Sequence, residues 1–138
     1  MTGNMRLAVG IVFALILVGQ GSARAIQQDV DRRAPVFVNA SVDDQDSVGA
    51  RLVTAVRERL AKSALFRLVS SSQVGSLELD LVTLRATDVS IASQAICIHV
   101  DAGLLLARHD VRTIGTTKVE QVADEIVADL DAVVRRMK

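Results

Sequence analysis

The chain has 138 residues with 16 basic and 16 acidic side chains, and half of its residues are apolar. It has no Trp, no Tyr and three Phe, so it lacks the exposed rings that base-stacking platforms, sugar sites and cation–π cages require. Its one cysteine, Cys97, cannot close a disulfide within the chain, so the domain has to be held by its core.

The first residues look like an export signal. Arg6 gives a positive start, Leu7 to Gly19 (LAVGIVFALILVG) is an apolar run of 13 residues, and Ala23-Arg24-Ala25 supplies a small-x-small cleavage site. The run is shorter than the roughly 20 residues that a spanning helix needs. Residues 1–25 therefore read as a signal peptide, 26–33 (IQQDVDRR) as a polar linker, and 34–138 as a single α+β domain. The expected location is periplasmic or secreted, with no stable membrane insertion after cleavage. Removing Arg6 and Arg24 leaves 14 basic against 16 acidic residues, a net charge of −2. That is the wrong sign for a general nucleic-acid or anionic-membrane binder.

Pro35 to Ala40 (PVFVNA) reads as a first strand, with its proline at the strand's start. Ser41 to Ser47 is a turn in which Asp46 or Ser47 can cap the following helix, and Asp43, Asp44 and Asp46 suit its positive end. Val48, Leu52, Val56 and Leu60 recur every four residues and predict a helix over about 48–65. Phe66 to Val69 is a short second strand. From 77 to 84 (LELDLVTL), Leu77, Leu79 and Leu81 alternate with Glu78 and Asp80, the pattern of a half-buried strand. The alternation breaks at Val82, which suggests a bulge. Residues 91–100 and 104–114 form a hairpin around Asp101-Ala102-Gly103. A three-residue loop would carry the face of Ile96, Ile98 and Val100 on through Leu104 and Leu106. Thr117 and Glu120 match a capping box. Val119, Val122, Ile126, Leu130, Val133 and Met137 then hold a helical period to the chain's end. The order is β-α-β-β-β-β-α. One mostly antiparallel sheet with both amphipathic helices on one face buries every apolar stripe.

That order resembles the amino-terminal domain of TolB and related bacterial envelope domains, including the CsgG-like group and LpoB. The residues that carry the resemblance are Ala61, Ser63, Phe66, Arg67, Leu68 and Val69 at the first helix's end, the Val74-Gly75 turn, the Asp101/Gly103 hairpin turn and the terminal amphipathic helix. The resemblance covers about residues 34–138. It implies an accessory module that works by contacting other envelope proteins. Unlike many members of that group, this chain is expected to carry no lipid-anchored Cys and no second domain.

Chemistry-bearing residues are few. If residue i of the hairpin pairs with 204 − i, His109 faces Ala95, too far from His99 for the two to share a metal. A pairing of i with 206 − i would instead place Cys97 opposite His109, a minimal nucleophile couple. A calcium loop starting at Asp44 would have its Gly at Gly49 but Ala55 where the closing Glu belongs, and one starting at Asp43 would have Val48 and Thr54, so a capping cluster of Asp43, Asp44 and Asp46 is the expectation. Glu78 and Asp80 are expected on a solvent face rather than as catalytic carboxylates.

No cofactor and no enzymatic activity are expected. The leading expectation is a non-enzymatic interaction module with another envelope protein as partner, using an exposed sheet edge or the strand face of Glu78, Asp80, Val82 and Leu84. The alternative is a small-molecule sensor or carrier, which needs a cavity between sheet and helices.

Overall fold

The computed structural model describes residues 31–138; the expected signal peptide and most of the expected linker lie outside the described residues. The elements run β1 (Ala34–Val42), α1 (Ser47–Lys62), β2 (Phe66–Val69), β3 (Leu77–Ala86), β4 (Val89–Val100), β5 (Gly103–Ile114) and α2 (Val119–Arg136). The order is the one read from the sequence. The five strands form one sheet in the spatial order β2-β1-β3-β4-β5. β1 pairs parallel with β2 and β3, while the two long ladders, β3–β4 and β4–β5, are antiparallel.

Period-two alternation gives the sheet an inner and an outer face. Val36 and Val38 of β1, Leu77, Leu79 and Leu81 of β3, and Ala92 and Ile96 of β4 point inward. There they meet Leu52, Val56 and Leu60 of α1 and Val122, Ile126 and Leu130 of α2 in one buried aliphatic cluster. Each such Leu or Ile contributes about 1.5–3 kcal/mol by leaving water. Ala55 and Ala123 are buried. Across the helix pair, Arg59 of α1 donates to Glu120 and Asp124 of α2. Both helices therefore lie on the same side, as the patterning required.

Asp46 caps α1 by accepting from the Gly49 N–H at 2.8 Å, and Ser90 donates to its other carboxylate oxygen at 2.6 Å. This buried node ties the helix start to β4. It also explains Gly49, where a Cβ would sit 2.0 Å from the Thr83 hydroxyl and 2.3 Å from the Asp46 carboxylate.

Four details differ from the sequence reading. α1 ends at Lys62, not Leu65, because the Ser63 hydroxyl accepts from the N–H groups of Leu65 and Phe66 and so offers the backbone an alternative to the next helical turn. α2 starts without a capping box: its N-cap is Lys118, with no side-chain cap bond. The Glu120 carboxylate goes to Arg59 instead.

β3 has no bulge at Val82, since its register with β4 is unbroken from Leu77 to Ala86. The alternation only looked broken because Thr83, a polar residue, takes the inward core position at 0 % exposure. The real irregularity lies in β5. Ile96 pairs with Arg108 but Cys97 with Leu106, which leaves Ala107 as an extra residue. The β4–β5 loop is the two residues Asp101-Ala102, with Val100 opposite Gly103, and Gly103 has a φ of 128° that disfavours a side chain. Leu105, not Leu104 or Leu106, therefore faces Ile98.

Candidate functional site: the uncovered sheet face

With both helices on the inner side, no element of the described residues covers the outer face. The register assembles that face from every strand. Phe37 of β1 lies beside Glu78 of β3, which lies beside Cys97 of β4, which lies beside Leu106 of β5. Further along, Asn39, Asp80, Ala95 and His109 form the next row. Val82, Ser93 and Val111 form a third, and Leu84, Ile91 and Thr113 a fourth. Directly opposite residues share a face, so all four residues expected on this surface, Glu78, Asp80, Val82 and Leu84, are on it.

They do not behave alike. Glu78 is 9 % exposed, far less than expected for a solvent-facing carboxylate, because β3 is the central strand and Phe37 and Cys97 flank it directly. Asp80 is half-buried and accepts from the Asn39 amide at 2.7 Å. Val82 and Leu84 stand out at 45 % and 54 % exposure. Ile91 and Val111 extend this apolar surface, while Leu104 and Leu106 stand exposed at the other end of the same face, by the Glu78 row. The sequence reading placed none of the four here: the face of Ile91 follows from the alternation of β4, but that of Leu104 and Leu106 depends on the two-residue loop and that of Val111 on the extra Ala107 as well. The result is a broad surface, polar at Asn39, Glu78 and Asp80 and apolar toward Val82, Leu84, Ile91 and Val111. Exposed apolar area of this kind marks contact surfaces.

The other candidates separate. His109 faces Ala95, as the 204 − i register required, and is hydrogen-bonded to Ser93 Oγ at 3.1 Å. His99 is hydrogen-bonded to Ser72 Oγ at 2.7 Å. Cys97 faces Leu106 rather than His109, so the nucleophile couple does not form. The thiol is buried, and burial pushes it up from its ordinary range, with the nearby Asp80 and Glu78 charges adding to that. Such a thiol is a poor nucleophile.

The aspartates at 43–46 do not converge. Asp46 turns inward to its cap, and Asp43 accepts from the Gln45 N–H at 3.2 Å. Burial alone would raise the Asp46 carboxyl, but hydrogen bonds from Ser90 and the Gly49 N–H outweigh it and hold the group below the usual Asp range. Among the described residues, no three His, Cys, Asp or Glu side chains are grouped so as to hold a metal ion.

A cleft of about 510 Å³ lies where the start of β1 and the end of α1 meet the C-terminal end of α2, lined by Arg32, Arg33, Arg135 and Lys138 with Asp131. Arg33 is bound to Asp31 and Arg135 to Asp131, which neutralises half of its cations. It is a rim feature, not the cavity between sheet and helices that a sensor needs. No helix among the described residues is long and apolar enough to cross a membrane.

The fold is a distant TolB-like α+β domain. The solved structure of TolB from Acinetobacter baumannii superposes with a TM-score of 0.55 at 10% sequence identity, over 74% of this chain. This chain spans 28% of that protein's length. No family model and no curated protein matches the sequence.

Proposed function

We propose that this chain is a non-enzymatic interaction module of the bacterial cell envelope, exported to the periplasm, that docks a partner protein on its outer sheet face. The observation behind this reading is the asymmetry of the sheet. The helices absorb the inner face, while the outer face keeps Val82, Leu84, Ile91 and Val111 in solvent. Keeping several large apolar side chains in water favours burial against a partner by about 25 cal/mol per Å². The likeness to TolB supports an envelope setting, and the apolar run before Ala25 supports export. The wider kinship with the CsgG-like group rests on the sequence pattern alone.

The test is co-purification of the tagged chain from crosslinked envelopes, alongside Leu84→Asp and a Glu78→Lys/Asp80→Lys double variant. Leu84 is exposed, so its replacement leaves the fold intact. A reproducible envelope partner that Leu84→Asp releases supports the reading. A partner retained by both variants overturns the choice of face.

A further inference from the structure

We propose that a second copy of this chain docks on the β5 edge, the two β5 strands pairing antiparallel about a two-fold axis at Val111. This goes beyond the reading of the outer face and does not depend on it.

Among the described residues, β5 ends the sheet and pairs only with β4, so one row of its N–H and C=O groups faces outward, ready to pair with another chain. The extra residue Ala107 divides the strand. Beyond it, Arg108 to Ile114 follow one unbroken register against β4, giving a straight seven-residue segment with Val111 at its centre.

A two-fold axis perpendicular to the sheet makes this segment meet itself, with each side chain kept on its own face. Centred on Val111, the pairing sets Arg108 against Ile114, His109 against Thr113, Asp110 against Arg112, and Val111 against its own copy. The Asp110–Arg112 pair occurs twice, once on each side of the axis. Opposite charges across a strand pair stabilise it, and like charges destabilise it.

The neighbouring positions of the axis fail on charge or on register. Centring on Asp110 sets Asp110 against Asp110 and Arg108 against Arg112. Centring on Arg112 sets that arginine against itself. Centring on His109 matches Arg108 with Asp110 but runs the pairing into the irregularity at Ala107. One register therefore satisfies the charges along the whole straight segment.

The centre also fits. Val111 is 55 % exposed on the outer face, so the axis brings two apolar side chains together. Within one chain, Arg112 already donates to Asp110 at 2.9 Å, and to Glu125 and Asp129 of α2 at 2.6 and 2.8 Å, which holds its guanidinium in place beside the edge. The paired strands would put the same two groups of the second copy within reach. Charges on an edge strand ordinarily guard it against pairing. Here their alternating sign turns the guard into a self-complementary code.

The experiment uses the chain produced from its full sequence, with Cys97→Ala and a single Val111→Cys. Mild oxidation of this variant should give a disulfide dimer about tenfold faster than the same background carrying Leu84→Cys, because pairing raises the effective concentration of the two thiols. Equal rates overturn the proposal. Sedimentation supplies the second arm. The unsubstituted chain should dimerise with rising concentration, and the variants Val111→Lys and Asp110→Arg should each be monomeric. A chain that stays monomeric throughout the concentration range, or a Val111→Lys variant that still dimerises, contradicts it.

Discussion

The two faces of this sheet are built from alternate residues of the same strands, yet they ended in opposite environments. On β3, Leu79 and Leu81 are fully buried under the helices, while Val82 and Leu84 a few residues on stand about half-exposed. The helices explain the first pair completely. Nothing within the described domain explains the second pair. Apolar residues on the inner face hold the fold together, and those on the outer face are available for something else. A face that folding has left unsolved is where function should be sought.

Predictions that test this comparison run from large effects to small. Leu79→Ala and Leu81→Ala should each cost about 2–5 kcal/mol of stability, through lost burial and the cavity left behind. Leu84→Ala should stay within about 0.5 kcal/mol, as expected of a surface position. Chemical denaturation of the three variants checks both, and a Leu84→Ala loss equal to that of Leu81→Ala would collapse the distinction between the faces.

Next in size is the buried node beneath α1. Gly49→Ala would force its methyl group against Thr83 and Asp46 and should cost about 1–3 kcal/mol by overpacking. Removing the cap with Asp46→Ala should cost about 1 kcal/mol. Asp46 is held below the usual Asp range in the folded chain, so its stabilisation is complete above the unfolded-state pKa of about 4. It is then lost as pH falls through the folded value. Stability measured from pH 6 down to pH 2 should therefore show an acid-side loss that Asp46→Ala reduces.

The smallest expected effect is at the helix pair. Arg59→Ala removes contacts with Glu120 and Asp124, whose side chains are largely exposed, and should cost no more than about 1 kcal/mol. Cys97 offers a kinetic check on the central rows of the outer face. Its buried thiol should react slowly with alkylating reagents at neutral pH until the chain is unfolded. Rapid labelling of the native protein would mean that these rows open readily to solvent.

The architecture was largely readable from the sequence because it rests on periodicity. The stripes through Val48 to Leu60 and Val119 to Val133, and the alternation of Leu77, Leu79 and Leu81, each specify a face, and the faces have one simple way to meet. What escaped depended on side chains competing for the same backbone or partner. Ser63 stopped α1 early, Arg59 drew Glu120 away from a capping box, and Thr83 occupied a core position that its type disguised. The candidate surface was half readable. Val82 and Leu84 follow from β3 alone. Ile91 follows from the alternation of β4, but Leu104, Leu106 and Val111 required the β4–β5 register, and one extra residue at Ala107 shifts which side chains meet across it. Turn length and bulge position depend on local backbone energies that hydrophobic patterning does not record.

The most direct test of the central claim is site-specific photocrosslinking in living cells, with the reactive group placed in turn at Val82, Leu84 and Ile91 on the outer face and at Glu58 and Asp124 on the helices. The account predicts that the outer-face positions capture one and the same envelope protein and that the helix positions do not. Capture from the helix positions, with silence from the sheet, would contradict it.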